Sequence, residues 1–300
     1  MKNILYTIFK TAIILFFAAI ILYTFFAQNS KEGFDARKYV CMYAYYEKND
    51  EYKENLSYFL ENAITDNIDY YIIVNGECTV KIPERENIKV VRRENRGFDF
   101  GAWQHCIKNE IGSQKYDYYI FLNSSVRGPL KTDDLKGASE TQWLQKFLEL
   151  FEDGPDIKLV GTTINIYMKI WDEYKYPYPP PYTHVQTMFF ILNSEGFDFL
   201  LKRGFFDDAG VLNNTTDMKY IVANKEVKMS QLILKNGWNI NAILPKYRGK
   251  DYRTVAKNFN PSSENPYRTA ADPPNKKSYF GEDIEPSEVI FYKTNETNIV

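Results

Sequence analysis

The sequence predicts an α/β protein with a mostly parallel central sheet, preceded by one N-terminal transmembrane helix. Three observations lead there. Short apolar runs rich in β-branched and aromatic residues alternate with segments whose apolar residues recur at helical spacing. An uncharged apolar run of membrane length lies near the N-terminus. A 300-residue chain that is 44% hydrophobic can bury the core of one large domain or two small ones.

The apolar run is Thr11 to Ala27, TAIILFFAAIILYTFFA. As a helix it spans about 25 Å, and extension back to Ile4 adds about 10 Å. Lys10 can snorkel to the nearer interface. The run exceeds the usual apolar core of a cleaved signal peptide, which favours a retained anchor. The expected organisation is an anchor over residues 1–27, a polar stem over 28–38 and a globular body over 39–300. Lys2 and Lys10 on one side, with Lys31, Arg37 and Lys38 on the other, leave orientation open. The expected setting is a single-pass membrane protein of the Golgi or endoplasmic reticulum lumen in a eukaryotic or viral host, or of the inner membrane in a bacterium. Asn-x-Ser/Thr triplets at Asn55, Asn123, Asn213, Asn214 and Asn295 fit a lumenal body, although an Asn-rich chain also produces them by chance.

In the body, Tyr39–Tyr46 reads as a buried strand. A helix follows, with Leu56, Phe59, Leu60 and Ile64 on one face. Tyr70–Val74 is a second strand, closed by the Asn75-Gly76 turn signal. Ile88–Val91 is a third, followed by a helix from Gly101 to Ile111. Tyr116–Leu122 is a fourth strand and Thr141–Phe151 a helix. Lys158–Ile164 and Thr187–Leu192 are a fifth and a sixth strand. Ser194 is expected to cap the next helix, and a helix from Glu226 ends at Gly237, a C′ position. Tyr174–Tyr182, YKYPYPPPY, is a stiff extended loop.

Several function classes drop out. A net charge of −2 removes the electrostatic case for nucleic acid. Cys41, Cys78 and Cys106 have neither disulfide-framework nor zinc spacing, and two histidines, His105 and His184, exclude a His-based metal cluster. Aromatic content of 16% suits sugar stacking and, more commonly, an aromatic core.

Ligands of such sheets bind at the carboxyl ends of the strands. Three unusual segments fall there: RRENRGFDFG after Val91, NSSVRGP after Leu122, and NIYMKIWDEY around Ile164. Gly97 and Gly101 permit positive φ and close backbone approach. Between them, Asp99 is either the N-cap of the next helix or a carboxylate aimed at a nucleotide base or ribose. Arg92, Arg93 and Arg96 either meet phosphates or are solvated. Asn123, Ser124 and Ser125 stand where many nucleotide-sugar enzymes carry Asp-x-Asp, and neutral oxygens are poor ligands for a hard cation. Arg127 can offset charge on a leaving diphosphate or can belong to a turn with Gly128 and Pro129. His184, after the Pro-rich loop, either lines a cleft or is structural. Glu226 is either a carboxylate favoured at a helix start or a general base for an acceptor hydroxyl.

Taken in order, these segments resemble the rhamnan synthesis protein F group of glycosyltransferases and its membrane-anchored relatives, from Tyr39 to Lys293. The shared residues are Arg93, Asn95, Gly97, Asp99, Gly101, Ala102 and Trp103, then Leu122, Asn123, Ser125, Arg127, Gly128 and Pro129. His184 to Met188 follow, then Glu226 with Gly237 and Trp238. Gly281, Pro286, Glu288, Phe291 and Lys293 complete the pattern. The resemblance implies a GT-A, Rossmann-like nucleotide-sugar domain that moves a sugar from a nucleoside diphosphate to a glycan hydroxyl. It implies donor binding by Arg93, Asn95, Arg96, Gly97, Asp99, Gly101, Asn123, Ser125 and Arg127, with Glu226 or His184 acting on the acceptor side. Use of a divalent cation, Mn²⁺ or Mg²⁺, stays open because Asp-x-Asp is missing. Two alternatives stand beside this reading: a non-catalytic glycan- or partner-binding module of the same fold, and a tethered nucleotidyltransferase.

Overall fold

The computed structural model describes Phe16 and residues 37–130, 142–170, 176–213, 217–254, 259, 261 and 272–294. The expected anchor and stem lie outside the described residues, apart from Phe16, Arg37 and Lys38. Among the described residues no helix is long and apolar enough to cross a membrane. The chain divides into Met1–Lys38 and a second unit, Tyr39–Val300.

The second unit is built on a seven-stranded sheet. Its strands are β1 (Tyr39–Tyr45), β2 (Ile68–Asn75), β3 (Ile88–Arg93), β4 (Tyr118–Asn123), β6 (Ile157–Gly161), β9 (Phe189–Asn193) and β10 (Asn239–Ala242). Their spatial order is β10-β6-β9-β4-β1-β2-β3. β1 pairs parallel with β2 and β4, β2 with β3, and β10 with β6. β9 alone runs antiparallel, between β4 and β6. The sheet is therefore mixed but mostly parallel. Every strand except β9 delivers its carboxyl end to one edge. Helices α1 (Asp50–Asn62), α2 (Phe98–Cys106), α3 (Gln142–Glu152) and α4 (Ser194–Lys202) return the chain between strands, and the short α5 (Ala209–Asn213) comes after α4.

Central position explains why β1 does not alternate: all seven residues are buried, as expected where both faces are covered. At the edge, β3 exposes Lys89, Val90 and Arg92, and the charges there discourage edge pairing. Trp103 of α2 is fully buried, makes edge contacts with Phe100, Phe121 and Phe190, and donates its indole N–H to the Met42 carbonyl (3.1 Å). The aromatic richness is thus chiefly core.

Several elements differ from the sequence expectation. The strand expected over 158–164 breaks in two. β6 stops at Gly161, where a Cβ would lie 2.3 Å from the Val185 side chain, and β7 (Ile164–Tyr167) leaves the main sheet to pair with β8 (Tyr182–Val185). His184 therefore lies inside a strand. Asn193, rather than Ser194, caps α4, its side chain accepting from the Gly196 N–H. Helix α2 begins before Gly101: Gly97 is the N-cap at φ 77°, and Asp99 falls in the first turn. Glu226 does not open its helix. The helix runs from α6 (Met218–Ile221) through a π-helical segment, Val222–Val227, into α7 (Lys228–Lys235), and Glu226 sits in the π segment. At its end Gly237 has φ 82°, with its N–H bonded to the Leu234 carbonyl and the Trp238 N–H to the Ile233 carbonyl, a Schellman closure. Asn55 is completely buried and donates to the Ser124 carbonyl and the Thr294 hydroxyl, so its triplet is not a glycosylation site in the folded chain.

Candidate functional site

The candidate site lies at the carboxyl edge of the sheet, where the turn after β3 is joined to the end of β4 by the hydrogen bond from Asn123 to Asp99. The turn after β3 is tightly determined. The Arg93 guanidinium donates through Nη1 to Asn75 Oδ1 and through Nη2 to the Arg96 carbonyl (2.7 Å). A Cβ on Gly101 would sit 2.1 Å from that same carbonyl oxygen. Phe98 is held at φ 53°, a region that bulky L residues rarely occupy. So rigid a turn fixes the direction of the next side chain, and that side chain is Asp99. Asn95 and Arg96 are exposed on its outer side.

Asp99 is partly buried and receives the Asn123 amide N–H at Oδ2 (2.7 Å). The Ser125 N–H and hydroxyl both donate to the other end of that amide, Asn123 Oδ1 (3.0 and 2.6 Å). Burial pushes the Asp99 carboxyl up to about 6, and the Glu226 charge adds to the rise, while the Asn123 hydrogen bond and the Lys293 charge oppose it. Asp99 is not a helix cap: its bonded partner is the Asn123 side chain at the end of β4.

The second carboxylate is solvated by the protein. Glu226 Oε2 accepts the backbone N–H and the hydroxyl of Thr187 (2.9 and 2.6 Å). Glu226 Oε1 lies 3.8 Å from His184 Nε2. His184 is fully buried, donates from Nδ1 to the Tyr182 carbonyl (2.8 Å) and packs its ring on Tyr167, leaving Nε2 without a hydrogen-bond partner. Any part His184 plays in chemistry therefore runs through Glu226. The helix is tied to β8 by Ser230 Oγ, which accepts the Val185 N–H, and by Gln231, which donates to the Thr183 carbonyl. The preceding residue, Lys225, points the other way. It is buried against Asp208 (3.1 Å) and the Phe205 carbonyl, and burial lowers its pKa. Asp208 in turn exchanges two backbone hydrogen bonds with the Gln104 side chain of α2, linking the helix of Asp99 to the helix of Glu226.

Other expected donor residues have committed partners. Arg127, in β5 (Val126–Arg127), donates through Nε to Asn55 and pairs through Nη2 with Glu54, both on α1 (2.9 and 2.8 Å). Ser124 accepts the Tyr46 N–H and donates to the Ala44 carbonyl. The donor set does not suit a resident divalent cation. Asn123 Oδ1 and the Ser124 and Ser125 hydroxyls are engaged with one another or with backbone, and the carboxylate bonded to Asn123 is Asp99, from the turn after β3. Among the described residues no group of three or more His, Cys, Asp or Glu side chains comes together to hold a metal.

Two residues of the site receive no role from the sequence. Thr187 carries no local signal, since its partner is 39 residues away. Lys293 lies in β11 (Tyr292–Lys293), which pairs antiparallel with β5, and its charge acts on Asp99. In the sequence it is a cation closing an apolar run and the last residue of the family pattern.

No protein-family model and no curated protein matches this chain. Among solved structures it is similar to the mannosyltransferase PcManGT from Pyrobaculum calidifontis in complex with GDP-Man and Mn²⁺, at 11% identity and a TM-score of 0.39 over 69% of this chain and 55% of that one. It is also similar to the apo form of the glycosyltransferase GlyE from Streptococcus pneumoniae, at 9% identity and a TM-score of 0.34 over 68% of this chain and 45% of that one. The chain thus matches about half the length of each. At these values neither likeness assigns a fold family or an activity.

Proposed function

We propose that this chain is a GT-A-type glycosyltransferase of the rhamnan synthesis F-like kind, moving a sugar from a nucleoside diphosphate to a glycan hydroxyl. The observation that carries the reading is the convergence of two differently held carboxylates, Asp99 and Glu226, at the carboxyl edge of a mostly parallel sheet. Asp99, with the Gly97–Gly101 turn and Asn123, receives the donor's ribose or base. Its carboxylate has an under-used hydrogen-bonding capacity that a hydroxyl or base N–H would fill. Glu226 Oε1 takes the proton of the acceptor hydroxyl as that oxygen bonds the sugar C1 and the nucleoside diphosphate leaves. Thr187 fixes the other oxygen, and the buried His184 ring stands behind Oε1 at 3.8 Å. The N-terminal apolar run anchors the body to a membrane, in the Golgi or endoplasmic reticulum of a eukaryotic or viral host or in a bacterial inner membrane.

A thermal-shift panel on the full chain in detergent, with UDP-, GDP- and dTDP-sugars, tests the reading. A donor at a hundred times its dissociation constant should add about 2.7 kcal/mol of stability. Release of nucleoside diphosphate in the presence of glycan acceptors is the accompanying assay. A folded sample that shifts with no donor would refute the transferase and leave a non-catalytic glycan-binding module.

A further inference from the structure

We propose that Lys225 is a positioning residue for Glu226: its ion pair with Asp208 holds the π-helical register that turns Glu226 to Thr187, and braces that register against the helix of Asp99. The inference rests on the transferase reading, in which Glu226 is the base.

The π segment Val222–Val227 is what needs holding. A π turn carries one residue more than an α turn, is rare, and recurs at functional sites. Relaxation to the α register would rotate the residues on one side of the segment by about 100° relative to those on the other. Glu226 would then leave Thr187, whose N–H and hydroxyl it accepts (2.9 and 2.6 Å). On one face of the segment Ala223 and Val227 pack with Ile170 and Tyr182. Apolar contact is non-directional and sets register weakly.

Lys225 supplies a directional hold. Its side chain is only 2% exposed, and its ammonium meets three groups of one neighbouring segment: the Asp208 carboxylate (3.1 Å), the Phe205 carbonyl and the face of the Phe205 ring (4.5 Å to the centroid). That segment is itself fixed. The Phe205 N–H donates to the Leu200 carbonyl (3.0 Å), and the Gly210 N–H to Asp208 Oδ1 (2.8 Å). The Gln104 side chain of α2 donates to the Asp208 carbonyl and accepts the Asp208 N–H (3.3 and 3.2 Å). A Cβ on Gly97 would lie 2.8 Å from Val211, so the same stretch seats against the turn that carries Asp99. Burying a lysine costs desolvation, so such a pair adds little net stability; its best-attested use is to fix register. Lys225 and Glu226 are adjacent in the chain, and a shift of the lysine is a shift of the base.

Lys225→Met keeps the length of the side chain and removes its charge. In the full chain in detergent, with donor sugar and glycan acceptor, kcat should fall about ten- to a hundredfold, the scale of a misplacement of about 1 Å. Donor KM should stay within about twofold of wild type. In a Glu226→Gln background the same substitution should cost less than about twofold, because a residue that acts through Glu226 has nothing left to position. A merely structural role would cost the same factor in both backgrounds. Hydrogen exchange resolved to single amides reads the contact without turnover. The Thr187 N–H should exchange at least about tenfold faster in Lys225→Met, while the Gln186 N–H, bonded to the Thr163 carbonyl (3.1 Å), keeps its wild-type rate. Lys225→Met combined with Asp208→Asn leaves neither charge unpaired and retains an acceptor for the Gly210 N–H. It replaces the single variant should that one fold poorly, with circular dichroism as the fold check. Equal losses in both backgrounds, or unchanged Thr187 exchange in a folded variant, would overturn the Lys225 assignment and spare the transferase. Release of no nucleotide by the wild type from UDP-, GDP- or dTDP-sugars would overturn the transferase and with it the catalytic purpose of the brace, whereas raised Thr187 exchange would still support the contact itself.

Discussion

Asp99 and Glu226 lie within electrostatic reach of one another and are held in opposite ways. Glu226 has one oxygen saturated by a backbone N–H and a hydroxyl from a single residue, Thr187. Asp99 has one amide N–H from Asn123 and is otherwise desolvated, which raises its carboxyl to about 6. A carboxylate whose charge is met by protein dipoles is ready to act without a ligand. A carboxylate left short of donors costs stability in the ligand-free protein and gains when a ligand supplies them. On the proposed reading, the contrast gives proton transfer to Glu226 and donor recognition to Asp99.

The sharpest way to break this division is Glu226→Gln. The variant should lose about 10²- to 10⁴-fold in turnover, the usual worth of a general base. Its stability should change by less than about 1 kcal/mol, because the Gln carbonyl can still accept both Thr187 donors. Single-turnover nucleotide release and urea unfolding on the same sample check the two halves. Preserved turnover would remove Glu226 from the chemistry.

Gly101→Ala attacks the seat of Asp99 instead. A Cβ there meets the Arg96 carbonyl at 2.1 Å, a backbone group that cannot swing aside. The expected loss is about 3 kcal/mol or failure to fold, at the upper end of overpacking costs. Wild-type unfolding by urea would contradict the close approach that aims Asp99.

Asp99→Asn should separate function from stability. Donor binding should be lost while the ligand-free protein gains about 1–2 kcal/mol at pH 7.5, after discounting for partial exposure. The sign follows from linkage. Asp99 titrates near 6 in the folded state and near 3.9 unfolded. The folded protein therefore holds a proton that the unfolded chain has released. The stabilising contribution is fully present below about pH 4 and is lost as pH rises through about 6. The advantage of the Asn variant should thus be near zero at pH 4 and reach its full value by about pH 7. Guanidinium unfolding of both proteins at several pH values measures it, and a gap independent of pH would erase the contrast between the two carboxylates.

The smallest effect belongs to Thr187→Val, which removes the hydroxyl donor and keeps the N–H. Stability should fall by about 1 kcal/mol and turnover by about tenfold. A calorimetric melt with the release assay reads both, and an unchanged variant would mean that the N–H alone orients Glu226.

The motif around Asp99 shows what kind of information sequence carries. Six of its residues are explained by local sterics and packing: Gly97 by its left-handed φ, Gly101 by contact with Arg96, Ala102 and Trp103 by burial, Arg93 by its grip on Asn75 and Arg96, and Phe98 by the turn it completes. Asp99 differs from them: it is held by one side-chain hydrogen bond, and burial raises its carboxyl. Spacing identifies such a turn, because glycine placement is a backbone requirement, but it cannot separate the residue that uses the turn from those that make it. The Asn55 triplet teaches the same lesson in reverse: a surface-chemistry signal sits on a side chain buried under the sheet edge.

The order of the first four strands, the helices between them and the aromatic core were determined by the sequence alone, because hydrophobic periodicity and glycine placement act over a few residues. Tertiary structure alone decided that β9 reverses direction, that Glu226 lies in a π-helical segment, that Arg127 turns to α1 and that β11 pairs with β5. Those outcomes depend on partners far apart in the chain: 24 residues for Asp99 and Asn123, 39 for Glu226 and Thr187, and 73 for Arg127 and Glu54. Desolvation and hydrogen-bond satisfaction at such separations are properties of the assembled packing, which no local stretch of sequence encodes.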